Sequence, residues 1–97
     1  GHKPVKWVIA SMASNGIMIA GEGMNIKLNG EEAEKLKIGL NANKKVAVKT
    51  DDGARFVFTP HKNGFVIKDL GDSPKYPDGL QMTKLDADKI VNMLSDE

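Results

Sequence analysis

A chain of 97 residues, 40% hydrophobic and 28% charged, has room for one domain around one modest core and is not disordered in composition. The net charge is only +1, and zero cysteines exclude a disulfide framework and thiolate metal sites. No apolar run approaches the roughly 20 residues of a membrane helix.

These features predict a single domain over residues 1–97, cytoplasmic and without a membrane association. Gly1-His2, where an initiator Met is expected, reads as a cloning remnant, and no charged-then-apolar leader follows it. The charge is uneven. Residues 1–43 sum to +1, residues 44–68 to +4 and residues 69–97 to −4. The basic third coincides with the most strand-like stretch, which is a clue to partners.

In chain order, "WVIASMASNGIMI" (7–19) alternates apolar residues around Asn15-Gly16, a hairpin signal because both turn residues tolerate positive φ. Val8, Ala10, Met12, Ile17 and Ile19 share one face, and Trp7, Ile9, Met18 and Ala20 the other. A strand pair apolar on both sides needs cover on both. Trp7, Ile9 and Met18 are therefore candidate interface residues, with simple burial as the competing explanation, and a homodimer is expected.

"NIKLNGEEAEKLKIGL" (25–40) reads as a short strand running into a helix. Asn29 is the N-cap, Glu32 completes a capping box, and Leu28 is the staple to Ala33. Ala33, Leu36 and Leu40 recur at helical spacing. "KKVAVKT" (44–50) is a strand that turns through Asp51-Asp52-Gly53. Then "RFVFTPHKNGFVI" (55–67) repeats the hairpin pattern of 7–19 at an offset of 48. With the turn at Asn63-Gly64, Thr59 is expected opposite Lys68 and His61 opposite Val66. Phe56, Phe58, Pro60, Phe65 and Ile67 form the face for a helix to cover. Arg55, Val57, Thr59, His61, Val66 and Lys68 form the other, which Lys45 and Lys49 extend.

"DLGDSPKYPDG" (69–79) is a punctuated loop holding Tyr76, the single tyrosine. Last, "LQMTKLDADKIVNML" (80–94) echoes residues 26–40 at an offset of 54. Thr83 repeats the cap, and Ala87, Ile90, Val91 and Leu94 form an amphipathic stripe. The expected fold is α+β. It is a duplicated unit of β-hairpin, short strand and capped helix, with repeats at 4–40 and 44–95. A curved antiparallel sheet would carry two helices on one face.

Catalytic chemistry is sparse. His61, with His2 set aside, has no Cys or second His at ligand spacing, so neither a zinc site nor a Ser-His-Asp triad is indicated. Glu31, Glu32 and Glu34 serve helix capping. The Gly-Glu-Gly at 21–23 lacks the third glycine and the helix directly behind it that phosphate binding requires. The reading is of a chain that is not an enzyme and needs no metal or cofactor.

The junctions "GMNIKLNGEEAEKLKIGL" and "GLQMTKLDADKIVNML" resemble those of the transcriptional coactivator, PUR-repeat and Whirly group of single-strand nucleic-acid binders. The resemblance implies a curved antiparallel sheet followed by a helix, two such units pairing, and non-enzymatic binding of single-stranded DNA or RNA. It departs from the group in two ways: the first half is one strand short, and the basic residues sit mainly in the second. By position, Lys45, Lys49, Arg55 and Lys68 would meet phosphates, and His61 would stack on or hydrogen-bond a base. The alternative is a small protein–protein interaction module, a regulator or inhibitor of a larger protein, using the apolar first hairpin or the acidic C-terminal third.

Overall fold

The computed structural model describes residues 9–13, 16–21, 24–62, 64–71 and 78–95. Strands β1 (Ile9–Ala13), β2 (Gly16–Gly21) and β3 (Met24–Asn29) lead into helix α1 (Gly30–Asn41). Strands β4 (Val46–Lys49), β5 (Arg55–His61), β6 (Gly64–Asp69) and β7 (Leu80–Thr83) lead into helix α2 (Lys84–Ser95). The fold is α+β, with two helices and all strand pairs antiparallel. The strands do not form the one sheet expected. They divide into a three-stranded sheet, β1-β2-β3, and a four-stranded one, β4-β5-β6-β7, with no strand pairing between the two among the described residues.

One apolar cluster joins the two sheets. Ile17, Ile19, Ile26 and Leu28 from the first meet Val48, Phe56, Phe58, Phe65, Ile67, Leu80 and Met82 from the second. Ala33, Leu36 and Leu40 of α1 and Ala87, Ile90 and Leu94 of α2 complete it. The phenylalanine face is the buried one, as alternation required. Leu28 and Ala33, the staple pair, are both inside.

The two helix starts are built alike. The Asn29 side chain accepts from Glu32 N at 3.0 Å, and Thr83 Oγ1 accepts from Asp86 N at 3.1 Å. Each satisfies one backbone donor that the helix leaves without a partner. The reciprocal half of the capping box does not form at α1. Glu32 Oε1 instead accepts from Lys49 N at 2.9 Å, and its other oxygen lies 3.0 Å from Lys35 Nζ. Asn29 Nδ2 also donates to Asp51 Oδ1 at 3.2 Å. The start of α1 is therefore tied to the end of β4 and its turn. At the other end of α1, Asn43 takes φ 56°, which asparagine tolerates, and Lys44 N donates to Gly39 O at 2.9 Å. That reversal lays β4 against α1 so closely that a Cβ on Gly39 would stand 2.6 Å from Val46 Cβ.

Hairpin register differs from expectation by two residues. His61 pairs with Gly64, Thr59 with Val66 and Val57 with Lys68, so Gly64 belongs to the strand. A Cβ on Gly64 would meet Met82 O at 1.9 Å, which explains the glycine by close backbone approach. Gly16 is placed identically, 1.9 Å from Leu28 O by the same measure. The agreement extends along both hairpins. Ala13↔Gly16 becomes His61↔Gly64 on adding 48, and Gly16↔Asn29 becomes Gly64↔Thr83 on adding 48 and 54. At the same offsets Ile17, Ile19, Ile26, Leu28, Ala33, Leu36 and Leu40 fall on Phe65, Ile67, Leu80, Met82, Ala87, Ile90 and Leu94, and every one is buried.

Two stability predictions follow from these contacts. Gly64→Ala and Gly16→Ala must each push two strand backbones apart, and each is expected to cost about 3 kcal/mol or more. Urea unfolding would show the two losses to be similar; a loss below about 1 kcal/mol in either contradicts the close approach. The hydrogen bond from Lys49 N, then that from Lys35, holds the Glu32 carboxyl below its ordinary pKa. A depressed carboxylate stabilises above its unfolded pKa and ceases to as pH falls through the folded one. Glu32→Gln should therefore be less stable by about 1 kcal/mol at pH 7, and the gap should close in acid. A gap unchanged at pH 2 would refute it.

Candidate nucleic-acid interface

The outer face of the four-stranded sheet follows from the burial of the inner one. Because Phe56, Phe58, Phe65, Ile67, Leu80 and Met82 turn inward, the intervening residues turn out. Register arranges them in transverse rows. Lys49 stands opposite Arg55; Ala47, Val57 and Lys68 form the next row. Thr59, Val66 and Gln81 form the third, and His61, Gly64 and Thr83 the fourth. Lys45 precedes β4 on the same side as Ala47 and Lys49.

Lys45, Lys49, Arg55, His61 and Lys68 are all exposed. Three of them cluster. Lys49 and Arg55 are direct cross-strand neighbours, and Lys68 is diagonal to Arg55, about 7 Å away between backbones. The two-residue shift in register brings Lys68 to this end of the sheet, beside Val57 and not Thr59. Lys45 lies about 13 Å from Lys49 along β4, and His61 about 20 Å from Arg55 along β5. His61 is thus at the far hairpin end, apart from the cationic cluster.

Like charges directly opposite on neighbouring strands repel. No acid occupies an outward position on β4–β7 among the described residues, and the nearby acids have other partners. Asp51 takes Asn29 Nδ2. Asp52 takes the Thr50 hydroxyl, which with Ala54 N holds its carboxyl below the ordinary range. Asp69 accepts from Gly71 N at 2.8 Å, and Glu32 is held by Lys49 N and Lys35. The two salt bridges among the described residues, Lys35–Glu32 and Lys37–Glu34, are both on α1. Neither bridge takes a cation of this face, although the charge of Lys49 also acts on the Glu32 carboxylate.

The centre of the face is aliphatic. Val57 is buried, and Thr59, Val66 and Gln81 are half-buried. Gly79, at φ 90°, lets the chain pass tightly over Val66: a Cβ there would stand 2.3 Å from Val66 Cγ1. The sequence alone does not single out Gln81. The alternation of Leu80 and Met82 turns it outward, but only strand pairing sets it beside Val66.

On the three-stranded sheet, Met18 is 38% exposed and lies opposite Ser11 and Lys27. Ile9 pairs with Ala20. Trp7 and Tyr76 lie outside the described residues, as do Glu22 and Gly23 of the Gly-Glu-Gly stretch. Among the described residues no three of His, Asp and Glu stand close enough to hold a metal ion, and no helix is long and apolar enough to cross a membrane. Comparison with protein-family models, with curated proteins and with solved structures returns no match.

Proposed function

We propose that the chain is a duplicated β-hairpin, strand and helix unit that binds single-stranded nucleic acid on the outer face of β4–β7, without catalysing a reaction. Three features support the duplication. The registers coincide at offsets of 48 and 54, Gly16 and Gly64 make the same close approach, and Asn29 and Thr83 cap the helices alike. Each glycine is needed where it stands, and shared descent of the two halves accounts for the same need arising at the same place in both.

The observation that carries the function is the pair Lys49–Arg55, set directly opposite with Lys68 diagonal to it and no outward acid beside them. Such a pair costs stability in the isolated fold and is relieved by an anion that spans it. A phosphate backbone supplies anions at regular spacing, and an open sheet face admits a single strand lying across it. Lys45, Lys49, Arg55 and Lys68 take phosphates in this reading, and His61, at the far end, stacks on or hydrogen-bonds a base. The outer face of the three-stranded sheet carries Lys27 opposite Met18 but, among the described residues, no such cluster. At the offset of 48, Arg55 and Lys68 fall on Trp7 and Ala20. That face, with Met18 exposed and Ile9 in register with Ala20, is the proposed surface for a homodimer.

Four phosphate contacts imply a log–log salt slope of roughly −3 on single strands. Titrating labelled single-stranded oligonucleotides at several salt concentrations should give that slope, and Arg55→Ala should flatten it by nearly one contact. Absence of binding at low salt, or binding indifferent to Arg55, Lys49 and Lys68, would favour a protein–protein interaction module instead. For assembly, sedimentation should report a dimer at micromolar concentration, and Met18→Asp should give a monomer that remains folded. A wild-type monomer at high micromolar concentration refutes the dimer.

A further inference from the structure

Amid the cations lies a row that phosphate binding does not use. Thr59, Val66 and Gln81 stand side by side on β5, β6 and β7, spanning about 10 Å at ordinary strand spacing. Val57 adjoins them on the same face, one outward position along β5 from Thr59. The Gly79 backbone closes against Val66 Cγ1, so this β-branched side chain is braced from the side. Among the described residues no Phe, Tyr or Trp occupies an outward position of this sheet; its three phenylalanines are inside. The floor offers aliphatic surface, not an aromatic plane.

Such a floor suits a methyl group. Beside it, the Gln81 carboxamide presents a donor and an acceptor together. Thymine has the matching arrangement: its C5 methyl adjoins O4, and O4 adjoins the N3–H. Resting on the nucleic-acid reading above, we propose that this row selects thymine and so prefers single-stranded DNA to RNA. The methyl packs on Val66, while the Gln81 amide donates to O4 and its carbonyl accepts from N3–H. Uracil keeps the hydrogen-bonding edge and loses the methyl. Adenine and cytosine lack the imide edge and the methyl both.

The comparison that isolates the contact is oligo(dT) against oligo(dU), which share sugar, backbone and imide edge. Oligo(dA) alone would mislead, because its bases also stack on one another in the unbound strand. Burial of one methyl predicts about fourfold tighter binding of dT than dU for each base in contact. Val66→Ala should lower dT affinity to the dU value while leaving the salt slope unchanged, with folding checked by circular dichroism. Val66→Thr, nearly isosteric, should narrow the dT/dU ratio without disturbing the sheet. Gln81→Leu should weaken dT and dU together and keep their ratio. Equal binding of dT and dU, or a ratio that survives both Val66 variants, overturns the inference while salt-dependent binding persists. Failure of every oligonucleotide to bind at low salt instead removes the underlying reading.

Discussion

Burial of Phe56, Phe58, Phe65 and Ile67 in the core shared with the two helices is the interaction on which the rest of the molecule depends. Strand side chains alternate, so a face committed to the core commits its neighbours to the opposite side. Once the phenylalanines are inside, Lys49, Arg55 and Lys68 have nowhere to go but out. Their grouping then depends on register alone. A slip of one residue in the β5–β6 pairing would bury a lysine; the observed pairing sets Lys68 beside Val57 and diagonal to Arg55.

The cationic face sits uneasily with a chain whose net charge is +1 and which has 13 acids to place. Four of them, the described acids nearest the face, are spent locally, on a turn, a helix start and a strand end. Asp52 and Asp69 fold back on their own segments, and Glu32 bridges α1 to β4. Surface ion pairs contribute little in any case, so placing acids as acceptors for backbone N–H groups is the more effective use of them. The result is a surface whose local charge is not visible in the net value.

Much of this was legible because it is local. The caps at Asn29 and Thr83, the helical stripes and the inward phenylalanines each follow from residues a few positions apart. The offsets of 48 and 54 were also visible in the letters. What sequence could not supply was the pairing between distant segments. Asn-Gly favours a turn at Asn63-Gly64, yet Met82 O approaches the second strand so closely that Gly64 is required within it. The capping-box pattern assigned Glu32 to its own helix start, while Lys49 N, 17 residues on, offered a better donor. Gln81 was hidden for the same reason, since its neighbours arrive from two other strands. The expected single sheet is two for the same reason: which strands pair is settled between distant segments.

The contact between Gly39 and Val46 has a further consequence, for the order in which the chain takes shape. Helix α1 belongs by sequence to the first half, yet β4 of the second sheet lies against its glycine. On a ribosome, residues 9–41 can pair their strands but cannot finish packing their helix until β4 has been synthesised. What ties the two halves is the single apolar cluster to which both contribute, so they are expected to fold and unfold together as one cooperative unit.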